Sequence, residues 1–278
     1  MPLYKPSELR TFLDSLNIRP KKGLSQNFLI DGNIIRKIVD AAQLEKEDVV
    51  LEIGPGPGAL TEMLLEKGVH VVAVEKDKIL ANALERLREP DKRLDVFCED
   101  ILEFPLEKLK EFLKEGQKVK VIANLPYHVT TPILAHLISH HTLFSRLIIM
   151  VQDEVARRFI ALPKTSDYSS LTIFLHFFSQ PKYLFMVSEQ CFYPVPKVKS
   201  AVVALDLKEP CDVSDREKFF LTVRTAFMHR RKMLRASLRD LYGSEHIVKA
   251  LESLQYNPQA RPEELSLREW LQFFEALQ

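Results

Sequence analysis

LEIGPGPGALTEML, residues 51–64, decides the fold. An apolar run of strand type ends at Ile53, glycines alternate with prolines over 54–58, and a stretch of helical period follows at once. Glycine allows a tight turn and close approach of the backbone to a ligand. The helix behind such a turn presents unsatisfied N–H groups. Twenty-one residues after Gly54, the next apolar run ends at Glu75, where a carboxylate can accept from both hydroxyls of a ribose. Gly54, Gly56 and Ala59 fit G-x-G-x-x-A, the pattern of a dinucleotide turn. S-adenosylmethionine is held by a similar turn without a diphosphate, and the glycines alone do not choose between the two.

Working outward, apolar β-branched runs recur: DVVLEI (48–53), VHVVAVE (69–75), LDVFCE (94–99), VKVIAN (119–124) and RLIIMVQ (146–152). Stretches of helical period such as ALTEMLLEKG and KILANALERLRE lie between them. Strands alternating with helices predict a mostly parallel sheet covered on both faces, and runs this continuously apolar are those of buried strands. KYLFMVS (182–188) and SAVVALDL (200–207) add two strands, seven in all. Only a Pro-containing loop separates them, which allows an antiparallel hairpin at the sheet edge. After Leu207 the polar KEPCDVSD leads into a pattern that is helical to the end. The expectation is an α/β domain over 1–207 and a small helical domain over 208–278.

The composition excludes several classes. A formal net charge of +1 over 278 residues rules out a uniformly basic nucleic-acid binder, so any basic surface must be local. Cys98, Cys191 and Cys211 are far apart and in no C-x-x-C pattern, which argues against disulfides or a zinc knuckle and fits a reducing compartment. The N-terminal stretch has no apolar core of signal-peptide type, and no run reaches the roughly 18 apolar residues of a membrane span. The chain is expected to be cytoplasmic and not bound to a membrane. His136 and His140 have helical i, i+4 spacing, but no Glu or third ligand completes a metalloprotease pattern, and no metal is expected.

Each later strand tip adds a polar group to the same crevice. Asp100 ends the third strand; its carboxylate can accept from an adenine amine, and the Ile101 N–H can donate to a ring nitrogen. NLPY, residues 124–127, ends the fourth strand. The lone pair of an adenine amine is delocalised into the ring, so methylation requires that the amine be held with that lone pair aimed at the methyl group. The side-chain oxygen of Asn124 and the main-chain carbonyl of Leu125 or Pro126 supply two acceptors for the two N–H bonds. Pro126 fixes the turn, and Tyr127 offers a face on which an extruded base can stack.

With EIGPGPG after the first strand and NLPY after the fourth, the chain resembles the rRNA adenine dimethyltransferases, in particular the KsgA/RsmA small-subunit branch. LSQNFLID (24–31), VVAVEKD, CEDIL and CFYPVPKVKSAVV (191–203) extend the resemblance over nearly the whole chain. It implies a Rossmann-like class I S-adenosylmethionine-dependent methyltransferase fold with a small C-terminal helical domain. It implies a cofactor site of Gln26, Asn27, Leu29, Gly54, Gly56, Glu75, Lys76, Asp100, Ile101 and Asn124, and it places Phe192 on the target adenine opposite Tyr127. Its implied substrate is a pair of adjacent adenosines in a hairpin near the 3′ end of small-subunit (16S) rRNA, within a pre-30S particle, acted on by a monomer. Large-subunit (23S) methyltransferases share NLPY-type motifs. A binding factor without chemistry and a nicotinamide-dependent dehydrogenase are the readings from other classes.

Between Arg224 and Arg239 lie Arg224, Arg230, Arg231, Lys232, Arg235 and Arg239, with no acid among them. On one continuous helix they would form a basic stripe beside Phe220, Val223, Phe227, Leu234 and Leu238. Such a stripe points to phosphate contact, and Lys21, Lys22, Lys197 and Lys199 could extend it.

Overall fold

The apolar runs of the sequence are strands in the computed structural model, which describes residues 3–21, 23 and 26–278. In chain order the elements begin α1 (Pro6–Ser15), β1 (Phe28–Leu29), α2 (Gly32–Ala41), β2 (Val49–Ile53), α3 (Ala59–Glu66), β3 (His70–Val74), α4 (Lys78–Ala83), β4 (Leu94–Phe97), β5 (Val119–Asn124), α5 (Thr130–Ser139) and β6 (Phe144–Gln152). They continue with α6 (Asp153–Phe159), α7 (Ser170–Phe178), β7 (Ser179–Val187), β8 (Phe192–Tyr193), β9 (Ser200–Leu207), α8 (Arg216–Met228), α9 (Leu234–Ser237), α10 (Arg239–Tyr242), α11 (Ser244–Ser253) and α12 (Leu267–Ala276).

Seven strands form one sheet in the order β4-β3-β2-β5-β6-β9-β7. The pairs from β4 to β6 are parallel, and β9 runs antiparallel to β6. Every residue of central β2 is buried, whereas β7 at the edge alternates between exposed and covered positions. This is the difference expected between a strand covered on two faces and one at the rim. The order reverses between β2 and β5, so the crevice at their carboxyl ends is a topological switch point. Local caps fix the intervening helices: Asp31 accepts from the N–H groups of Asn33 and Ile34 at α2, and Asp77 from Ile79 at α4. A second, two-stranded sheet pairs β1 with β8 antiparallel.

The chain divides into two compact units, Met1–Ala156 with Lys182–Leu207, and Arg157–Pro181 with Lys208–Gln278. One crossing falls after Leu207, and residues 157–178 group with the helical unit, while residues 179–181 open β7 of the sheet. Packing explains this. Phe174 and Phe177 of α7 lie with their ring centroids 5.4 and 5.0 Å from that of Phe220 of α8. That aromatic layer continues to fully buried Phe219, Phe273, Phe274 and Trp270, whose indole N–H donates to the Pro262 carbonyl at 3.1 Å.

The basic stretch of the helical unit is not one continuous helix. Helix α8 ends at Met228, and the chain turns with Lys232 N–H donating to the His229 carbonyl at 2.7 Å. Leu234 N–H then donates to the Ala260 carbonyl at 2.8 Å, which sets a new direction in which Leu234 and Leu238 are fully buried. Arg224 lies on α8, Arg230, Arg231 and Lys232 on the turn, Arg235 on α9 and Arg239 on α10. All are exposed except Arg230, which is half-covered.

Candidate functional site

The glycine turn after β2 spends its own N–H groups inside the fold. Gly54 and Gly56 take φ of +63° and +58°, in the left-handed region that disfavours a side chain. A Cβ on Gly56 would meet the Phe28 ring at 3.0 Å, while one on Gly54 would meet nothing within 4 Å. The turn's own N–H groups are already used. Gly54 donates to the Val74 carbonyl at 2.9 Å, Gly56 to Glu75 Oε2 at 2.9 Å and Gly58 to the Pro55 carbonyl at 3.0 Å. Pro55 and Pro57 have none. A diphosphate needs several converging N–H groups, and residues 54–58 have none left to offer.

The acids follow at successive strand tips. Glu75 is buried, and its other oxygen accepts from Asp77 N–H at 2.8 Å. Burial pushes its carboxyl up, against the backbone bonds from Asp77, Gly56 and Lys76 that favour the ionised form. Asp100 accepts from the Lys76 ammonium at 2.6 Å and from Leu102 N–H at 3.0 Å. Its carboxyl is held below the ordinary range by those bonds, which outweigh its partial burial. Asp77 joins the N-terminal segment to this edge: it accepts from Lys21 Nζ at 2.7 Å and from Gln26 Nε2 at 3.3 Å. Lys21 is therefore the ion-pair partner of Asp77, not an unpaired cation. Lys22 lies outside the described residues. Lys197 and Lys199 are exposed on the loop before β9.

At the end of β5, Asn124 Nδ2 donates to the Asn27 carbonyl at 3.1 Å, which fixes the amide and leaves Oδ1 to accept. The Pro126 carbonyl already accepts from Val129 N–H at 3.1 Å and Thr130 Oγ1 at 3.2 Å. The Leu125 carbonyl accepts no hydrogen bond among the described residues, so it is the better second acceptor. The Tyr127 hydroxyl lies 2.6 Å from Ser200 Oγ, which holds the half-buried ring in place.

One cleft collects these groups. Gln26, Asn27, Leu29, Gly54, Gly56, Glu75, Lys76, Asp100, Ile101 and Asn124 all line it, together with Leu125, Pro126 and Tyr127. Phe192 does not. It is fully buried, pairs in register with Leu29, and packs in the core that holds Ile35 and Ile38. The two residues of β8 face opposite ways, and Phe192 takes the inward side. Phe192 thus lies outside the cleft in this structure, and the expected stacking on a base has no geometric support here.

The sequence reading passed over Glu52, which also lines the cleft. It is buried in the middle of β2, and its Oε2 has no hydrogen-bond partner. Burial pushes its carboxyl from the ordinary 4.5 to about 8, helped by the charge of Glu75 and opposed by the Thr61 hydroxyl. The signal was present: an acid inside a strand that is otherwise wholly apolar. Because the folded value is raised, the folded chain binds the extra proton, and stability falls as pH rises from 4.5 towards 8. Glu52→Gln removes that loss. Its melting temperature, relative to the native chain, should rise by roughly 5 °C between acid and mildly alkaline pH. A difference independent of pH would contradict the buried neutral carboxyl.

Residues 17–278 match the ribosomal RNA adenine dimethylase family. The chain is 60% identical to the ribosomal RNA small subunit methyltransferase A of Protochlamydia amoebophila, over 100% of this chain and 98% of that one. It is 48% identical to the protein of the same description from Chlamydia caviae, over 100% and 99%. Among solved structures, a dimethyladenosine transferase from Plasmodium falciparum superposes with a TM-score of 0.76 at 26% identity, over 88% of this chain and 95% of that one. The 23S rRNA methyltransferase ErmE gives 0.69 at 26% identity, over 90% and 99%.

Proposed function

Since the chain belongs to the ribosomal RNA adenine dimethylase family, we propose that it methylates the exocyclic N6 amines of two adjacent adenosines in a hairpin near the 3′ end of small-subunit rRNA. The products are dimethyladenosines. The particle acted on is a late pre-30S subunit, and the enzyme works as a cytoplasmic monomer. No helix among the described residues is long and apolar enough to cross a membrane, and those residues hold no cluster of three or more metal-ligating side chains.

The methyl donor is S-adenosylmethionine, which when bound supplies an electrophilic methyl group on a cationic sulfur. The cleft suits it on two counts. Residues 54–58 have no N–H left for a diphosphate, and Gly54 leaves the cradle open. Glu75 is placed to accept from the ribose hydroxyls, and Asp100 with Ile101 N–H to read the adenine ring. Glu75→Gln keeps the side-chain volume but halves the acceptor set. It should weaken cofactor binding by about 1–3 kcal/mol, the scale of a hydrogen bond to a charged group. Titration calorimetry checks this, and an unchanged affinity would remove Glu75 from the ribose.

The observation that carries the reaction is the fixed amide of Asn124 beside the Leu125 carbonyl. Together they accept both N–H bonds of the target amine and turn its lone pair towards the methyl carbon. The ring of Tyr127, held by Ser200, supports the extruded base. Asn124 and the Leu125 carbonyl would hold the amine in that orientation while the bound cofactor gave up its methyl group and its sulfur kept the S–C electron pair. The methylated amine then loses a proton to water, so no strong base is needed. Orientation and electrostatic placement supply the catalysis.

The test is nucleoside mass spectrometry after incubation with S-adenosylmethionine and small subunits lacking the modification, alongside large-subunit RNA. Dimethyladenosine in the small-subunit RNA alone is expected. Its appearance only in large-subunit RNA would move the substrate, and its absence from both would leave a binding factor. The exposed basic groups of the helical unit are proposed to contact phosphates. Reversing Arg231 and Arg235 to Glu should weaken RNA binding and lower the slope of log K against log salt by about 2. An unaltered slope would make them a solvated surface.

A further inference from the structure

Tyr193 faces away from the core that holds Phe192, and on its side the chain builds a second cleft. The walls are Arg10, Leu13 and Asp14 of α1, Ile18, Arg19 and Pro20 after it, and Tyr193. The Arg10 guanidinium lies 5.1 Å from the centre of the Tyr193 ring. Both arginines are exposed, and neither has an ion-pair partner among the described residues. Asp14 is the acid of the lining, so two cations face one anion.

The position of this cleft matters as much as its chemistry. Residues 194–199 lead from Tyr193 past exposed Lys197 and Lys199 to Ser200, the residue that holds Tyr127. Seven residues cannot span more than roughly 25 Å, so the cleft lies within a few nucleotides of the target base. An arginine stacked on an aromatic ring presents a flat cationic surface, which suits a base, and a second arginine beside it suits a phosphate.

We propose that the cleft of Arg10, Arg19 and Tyr193 is a second RNA subsite, which holds one nucleotide of the single strand flanking the target adenosines. The base lies against Arg10 and Tyr193, and the adjoining phosphate meets Arg19. This rests on the rRNA substrate reading above.

The experiment compares two fluorescent RNAs, the small-subunit hairpin with its single-stranded flanks and the same hairpin trimmed to the stem-loop. Anisotropy titrations over a salt series use the native chain and Arg10→Ala/Arg19→Ala. The variant should bind the flanked RNA about ten- to fifty-fold more weakly, with the salt slope lowered by about 0.7, the single-strand phosphate contact of Arg19. The trimmed RNA should bind both proteins alike, and S-adenosylmethionine affinity should match, which shows an intact fold. Arg10→Lys/Arg19→Lys should restore the slope but only part of the affinity, because lysine keeps charge and loses the stack. Equal losses on both RNAs, or no loss on either, would overturn the subsite. If the native chain does not methylate small subunits lacking the modification, the substrate reading fails and the subsite with it. Methylation by the native chain with no effect of the variants removes the subsite alone.

Discussion

Asn124→Ala should cut the rate of methyl transfer by about a thousandfold at saturating cofactor and RNA. The amide does two jobs in the structure. Its Nδ2 holds the Asn27 carbonyl at 3.1 Å, and its Oδ1 is left for the target amine. Alanine removes both, but they weigh differently. The bond to Asn27 is one neutral hydrogen bond at the edge of the cofactor cleft, worth about 1 kcal/mol, or roughly fivefold in cofactor affinity. The Oδ1 contact acts where geometry decides whether the lone pair can reach the methyl carbon, so its loss falls on the chemical step. Asn124→Asp is the sharper companion, because a carboxylate still accepts but cannot donate to Asn27. Single-turnover methylation and cofactor titration on the same preparations measure the split. Matching losses of cofactor affinity and rate in Asn124→Ala would make the residue a strut for Asn27 and nothing more.

What could be read from the sequence follows from where the determining interactions lie. The predicted runs 119–124 and 200–207 coincide with β5 and β9, since a strand buried on both faces must be continuously apolar and says so locally. Residues at the tips of β2, β3, β4 and β5 were legible as one cleft for the same reason, once the parallel order was inferred. The failures are non-local. Nothing near His229 forces α8 to stop, and the apolar spacing through Leu238 serves one helix or several. The Ala260 carbonyl, far along the chain, decides it. The place of 157–178 is set by rings on α8 that no local pattern announces. A two-residue strand such as β1 or β8 has no period to detect, so the pairing that turns Phe192 inward stays hidden in the sequence. Glu52 is the opposite case, visible as an acid in an apolar strand but without a motif to attract attention.

Phe192→Ala separates a core residue from a stacking residue. The side chain has no exposure and packs with Leu29, Ile35 and Ile38. Truncating a phenylalanine in such a place costs about 3–5 kcal/mol, the lost transfer energy plus the cavity left behind. A domain is stable by only about 5–15 kcal/mol, so a large fall in the denaturation midpoint is expected. Activity should fall too, by a route that the neighbours define. Phe192 pairs with Leu29, and the Ile30 N–H donates to the Cys191 carbonyl at 2.8 Å, so the cavity loosens the segment that carries Gln26 and Asn27 into the cleft. Phe192→Leu makes the two roles diverge. Leucine refills most of the volume and should recover most of the stability and most of the methyl transfer, because nothing aromatic is required in the core. A stacking role demands the reverse, a well-folded Phe192→Leu with transfer reduced a hundredfold. Denaturant midpoints and methylation rates of the two variants, taken at low temperature where both remain folded, decide between a ring that supports the fold and one that touches the base.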